Sequence, residues 1–286
     1  MNTKKISRLR KNKICKLVSS YLSLKTIEYK RINKIIFFQD EEELKKYRGK
    51  VIPLIKHNKL YFDILLDDDI GEKIIENKKL NATEKSILLH EFFHCQEMMI
   101  TTNYINVDLY FKQIDSTRAF LTYVAIQQWS EYYAYYYTAK ISERNMTIIK
   151  SIIEINRGLK VVEEKIQKVN SIQLSDYYLD LLWNFVRAYI MLAAHYNATK
   201  NERYLEVIKI FKNEYRFRLL YDFIINITKY LDTLFRTYPK WCSESSFEKM
   251  GNELTSFIRI YNMKFSDTND FSVELVEDIY KIDYHN

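Results

Sequence analysis

The stretch NATEKSILLHEFFHCQEMMI, residues 81–100, sets the strongest condition on how this chain folds. Asn81 followed three residues later by Glu84 has the form of a capping box, which starts a helix. No Gly or Pro interrupts the run, so the helix is predicted to extend to Met99 or Ile100. At helical spacing its apolar side chains go almost all the way round, the mark of a buried helix. Yet it carries His90, Glu91, His94 and Glu97, groups that are costly to take out of water unless partnered. The fold has to surround this helix and also supply partners for its ionisable groups.

The rest of the chain suits that demand. Only 4 Gly and 2 Pro occur in 286 residues, which disfavours a turn-rich all-β fold and favours long helices. A hydrophobic content of 47 % supports a sizeable core, in one large domain or two lobes. Ahead of the central helix, KIIFFQ (34–39), VIPLI (51–55) and LYFDILL (60–66) read as strands. The last two are joined around His57-Asn58, and Pro53 places the first of them at a sheet edge. EEELKKYR (41–48) reads as a short helix stopped by Gly49, and LDDDIGEKIIENKK as a polar connection with one helical turn. Beyond the central helix, a pattern starting at Asp115-Ser116 runs unbroken to about Ser142. Further helical runs are predicted near 145–169, 175–197, 202–214, 216–236 and 245–263. The expected class is α+β and predominantly helical: a small sheet packed on the central helix, then an all-helical lobe. The expected divisions are a basic segment 1–34, a core 35–143 and a helical C-terminal lobe 144–286.

Charge and cysteine usage limit the setting. Residues 1–34 hold 11 Lys/Arg and one acid, a net of +10, against +7 for the whole chain; residues 266–286 carry a net of −5. Two solvated ends that attract each other account for this. A basic segment also favours phosphate, so residues 1–34 are a candidate arm for nucleic acid or an acidic partner, although no nucleic-acid motif accompanies them. Cys15, Cys95 and Cys242 are far apart and odd in number, which suits a reducing cytoplasm and no disulfide framework. No apolar run of signal-peptide length follows the basic N-terminus, and no segment reaches the roughly 20 apolar residues of a membrane span. The abundance of Lys, Ile, Asn and Tyr suggests an AT-rich coding genome, bacterial or phage.

On a helix, residues four apart share one face at about 6 Å, so His90 and His94 point the same way. That spacing suits two imidazoles on one tetrahedral cation, with Zn–N of about 2.0–2.1 Å. Glu91 is rotated by about 100° from His90 and could reach a water on that cation. His90-Glu91-Phe92-Phe93-His94 is an H-E-x-x-H sequence, and it resembles the zincin metallopeptidases. The resemblance implies Zn2+, a protein or peptide substrate and Glu91 as general base. No third His follows closely, which leaves a glutamate from a second helix, as in gluzincins. The favoured candidate is Glu131 in WSEYYAYYYTAK, 37 positions after His94. It lies on a mostly apolar stripe with Phe120, Val124, Gln127, Ala134, Tyr135 and Thr138, where a lone carboxylate would be costly. Glu-x-x-Ala after the motif also loosely resembles the ImmA/IrrE-type peptidases. An ordinary surface carboxylate is the competing reading of Glu131, and Glu97, Asp115 and His195 are alternative ligands.

Further roles stay open at this level. Tyr135 stands where the thermolysin-like pattern has an aspartate, so Ser130, Gln127 or Thr138 would have to accept the second imidazole N–H groups. Peptide hydrolysis also needs an oxyanion donor. His195 is one candidate, on a stripe with Asp180, Asn184, Arg187 and Met191 that also reads as a wet helix face. Tyr132 and Tyr135 are its rivals. Phe92, Phe93, Met98 and Met99 read as core, Cys95 as a small buried hydrophobe and His57 as a turn residue. An extended peptide is expected to pair with an edge strand, taken as 60–66. The alternative is a zincin-like scaffold that binds a partner without turnover.

Overall fold

The computed structural model describes residues 4–5, 8–22, 28–38, 48–57, 59–111, 116–141, 174–202, 204, 215–261, 263–265 and 273–275. The fold is α+β and predominantly helical. Contacts divide the chain into two compact units, Met1–Val107 with Tyr133–Arg144, and Asp108–Tyr132 with Asn145–Asn286.

In the first unit, β-branched and aromatic runs form a mixed sheet. Its strands are β1 (Lys4–Lys5), β2 (Ile32–Phe38), β3 (Gly49–Lys56) and β4 (Lys59–Asp67), in the order β1-β2-β4-β3. The β3–β4 hairpin turns through His57, whose φ of 50° lies in the left-handed region, as a turn residue there requires. Among the described residues β3 pairs only with β4, so Pro53 sits on an edge strand, where a residue without an N–H is tolerated. β4 is flanked on both sides, parallel to β2 and antiparallel to β3. The expectation that 60–66 offers an edge is therefore corrected: that edge belongs to 49–56.

After β4 the expected polar connection is instead a helix of two turns, α2 (Asp68–Ile75). Asp67 caps it by accepting from the Asp69 N–H at 3.1 Å, and Ile70 and Ile74, four apart, are both buried. Asp67 is in turn paired with Arg48. The central helix follows as α3 (Ala82–Thr101). Near the N-terminus, α1 (Arg8–Leu22) buries Ile14, Cys15 and Val18, while Lys11 and Lys13 donate to the carbonyls of Ile32 and Ile75. Most of the helix expected at 41–48 lies outside the described residues, as does the run 145–169.

A long helix, α4 (Thr117–Ile141), crosses the division between the units without a break. The second unit adds α5 (Leu174–Thr199), α6 (Tyr215–Thr237) and α7 (Glu244–Thr255). Their burial follows helical spacing: Ile224, Ile227 and Leu231 on α6, and Phe247, Met250 and Leu254 on α7. Trp129 of α4 anchors an aromatic cluster, edge-on to Trp241 at 5.0 Å and stacked with Tyr132 at 5.5 Å between ring centroids. Asn197 is buried and donates to both Tyr132 Oη and the Thr228 carbonyl, each at 2.9 Å. Where a purely helical lobe was expected, a short antiparallel ribbon, β5 (Met263–Phe265) with β6 (Val273–Leu275), is added. Most of the run predicted at 202–214 lies outside the described residues. No described helix is long and apolar enough to cross a membrane.

Gly251 brings α7 against the backbone of α4. A Cβ there would stand 2.1 Å from the Leu121 carbonyl oxygen, which belongs to a helix and cannot give way. Alanine in a helix ordinarily gains about 1 kcal/mol over glycine. Here the clash outweighs that gain, and we predict that Gly251→Ala destabilises the protein by about 1–3 kcal/mol in denaturant unfolding.

Candidate metal centre

The helix that carries the motif is secured at its start. Asn81 accepts from the Glu84 N–H at 2.9 Å, and the Glu84 carboxylate accepts from the Asn81 N–H at 3.0 Å, the reciprocal pair of a capping box. Glu84 is buried and also pairs with Lys73. Further along, Leu88, Leu89, Phe92, Phe93, Cys95, Met98 and Met99 are all buried, so the all-round apolar character of α3 is realised. β3 and β4 pack against this helix.

His90 and His94 face each other one turn apart, with their Nε2 atoms 3.0 Å from one another. Two imidazoles on one tetrahedral zinc place their nitrogens about 3.3 Å apart, by the usual bond lengths. The pair is therefore close to the spacing a shared cation needs. One ligand atom from each of His90, His94 and Glu131 lies within 4.8 Å of the other two. Glu131 is carried by α4 on the turn before Tyr135, and the Tyr135 ring rests on His90 with centroids 4.4 Å apart. The continuous helix thus sets the carboxylate beside the imidazoles. His94 is buried, His90 and Glu131 are half-buried, and the donor set is two nitrogens and an oxygen. That set is one that zinc accepts with a fourth position open, so the residues fit the metal.

Glu91 is buried at 6 % exposure and lies against the first residue of β3. A Cβ on Gly49 would meet its Oε1 at 2.6 Å. The side chain is confined by a strand backbone, a constraint that sequence spacing does not reveal.

His195 is on α5, buried, with Nδ1 3.4 Å from Tyr204 Oη, and does not belong to the three-residue cluster. Glu97 is fully buried and accepts from Thr101 Oγ1, again outside the cluster. Asp115 lies outside the described residues. Thr138 is buried and donates to the Ala134 carbonyl of its own helix at 2.6 Å. Cys95 is fully buried; burial first, then the Glu91 charge, pushes its thiol well above the ordinary range, as a small core hydrophobe requires. Tyr132 stacks with Trp129 in the second unit. Arg187, which the sequence reading placed only on a polar stripe, is 3.3 Å from the Glu131 carboxylate. Neither its spacing nor its helix marks it for that role.

Burial raises the Glu84 carboxyl, but the Lys73 hydrogen bond, the Asn81 N–H and nearby cationic charge hold it below its ordinary 4.5. A carboxyl depressed in the folded state contributes stability that is complete above its unfolded value. That contribution is lost as pH falls through the lower folded value. Glu84→Gln should therefore be less stable than wild type at neutral pH, with the gap closing below about pH 4.5 in a pH series of denaturant unfolding.

Comparison of the chain with protein-family models, with curated proteins and with solved structures gives no match.

Proposed function

We propose that the protein is a zinc-dependent peptidase that hydrolyses peptide bonds in a protein substrate. The observation that carries this reading is the convergence of His90, His94 and Glu131 next to Glu91. His90 and His94 would hold the zinc through Nε2, and Glu131 through a carboxylate oxygen. Zinc held there would supply Lewis acidity, which polarises a carbonyl and brings the pKa of water to about 7.

The protein's own groups account for the remaining steps. Glu91 accepts the proton that the attacking water loses as its oxygen bonds to the carbonyl carbon. It then gives that proton to the amide nitrogen as the C–N bond breaks, so the products are a carboxylic acid and an amine, and the acid's remaining proton passes to the amine to leave a carboxylate and an ammonium group. Burial of Glu91 beside Gly49 keeps its carboxylate in one place for both transfers. Of the three oxyanion donors suggested by sequence, Tyr135 is favoured because it lies half-buried against His90, whereas Tyr132 stacks with Trp129 and His195 faces Tyr204. An extended peptide would add to β3, the strand whose outer edge is unpaired among the described residues. Ile52 and Ile55 on that strand are exposed at 36 % and 42 % and would supply apolar contact.

The test is elemental analysis combined with proteolysis of a denatured protein. Glu131→Ala should lose zinc. Glu91→Gln should keep zinc and lose activity by about 10²–10⁴-fold, the usual contribution of a positioned base. Zinc retention with no cleavage by wild type would favour a binding scaffold without turnover.

Gly49→Ala supplies a separate check. Its methyl group would displace the Glu91 carboxylate, which is not among the three residues that would hold the zinc. We expect unchanged zinc content and a fall in kcat of at least about tenfold, since small misplacement of a reacting group is costly.

A further inference from the structure

The Arg187 side chain of α5 reaches the Glu131 carboxylate, with Nη2 3.3 Å from Oε1. Glu131 is 19 % exposed and Arg187 44 %, so the carboxylate is largely enclosed while its cationic neighbour stays wet. A carboxylate on a mostly apolar helix face needs a positive neighbour whenever no cation is bound. Arg187 supplies one, and it acts on the same carboxylate that would have to serve a metal.

We propose that Arg187 is an electrostatic latch on the third metal ligand: it holds the Glu131 carboxylate in the metal-free protein and competes with the cation for it. This rests on the metal-centre reading given above. The contact is at the long end of hydrogen-bond geometry and half-exposed, so it is screened and yields to a stronger partner. A positive charge touching a ligand carboxylate also weakens its pull on a dication, by a factor on the order of tenfold at water-like dielectric. The latch thereby keeps an enclosed acid paired in the empty protein and sets the threshold at which metal enters. Arg187 is a positioning residue in this scheme, with no contact to reacting atoms required.

The experiment measures zinc affinity of the full chain by competition with a chromophoric chelator, at low and high salt. Arg187→Met keeps the apolar stem and removes the charge, and Arg187→Gln is a second charge-removing variant in case the first folds poorly. Both should bind zinc on the order of tenfold more tightly than wild type, with the gap shrinking at high salt. Arg187→Lys, which keeps the charge, should stay near wild type. Zinc bound by wild type but equally or more weakly by the Met and Gln variants overturns the latch alone. A Lys variant that tightens binding as much as Met overturns it too. Failure of wild type to bind zinc at all overturns the metal centre, and the latch with it.

Discussion

A helix that is apolar on every side and still carries ionisable groups is the constraint around which the first unit is arranged. Burying α3 removes Leu88, Leu89, Phe92 and Phe93 from water, and the same burial would strand any polar group left without a partner. Each of its glutamates and histidines meets something specific. Glu84 has Lys73 and the Asn81 N–H, Glu97 has Thr101, and the two imidazoles meet at their Nε2 atoms. Glu91 is held against Gly49. The polar groups thus belong to the packing of the helix.

The sheet serves that helix in two ways. β3 and β4 cover one side of it. The first residue of β3 has no side chain, and only that absence lets the Glu91 carboxylate lie so close to the strand backbone. Gly71 does the same job elsewhere: a Cβ there would meet the Phe37 ring at 2.6 Å, so α2 approaches β2 more closely than any other residue would permit. In a chain with only 4 glycines, these two positions are places where close approach is structural.

Much of this was legible in the sequence. The capping box at Asn81 and Glu84, the buried run 88–99, the strands near 51–55 and 60–66 and the helix to about Ser142 all follow from local rules of spacing and turn chemistry. Those rules act within a few residues, and α3 and α4 obey them. α2 was underestimated because its acidic first turn reads as polar loop, although Asp67 caps it and Ile70 and Ile74 give it a buried face. The β5–β6 ribbon pairs segments too short to carry a periodic signal. The strand edge was assigned to 60–66 because nothing local tells which strand of a hairpin gains a second neighbour. The parallel pairing with β2 decided it.

Sequence by itself determined the i and i+4 placement of His90 and His94, the helix that carries them and the apolar face that surrounds them. These depend on helix geometry, which is the same wherever the helix sits. It also singled out Glu131, because a carboxylate on an apolar stripe calls for a partner. Only tertiary structure decided that α4 brings Glu131 within 4.8 Å of both imidazoles, that Tyr135 rests on His90, and that Arg187 reaches the carboxylate. Such contacts join residues tens of positions apart, and their distances are set by how helices pack against one another, which no local pattern encodes.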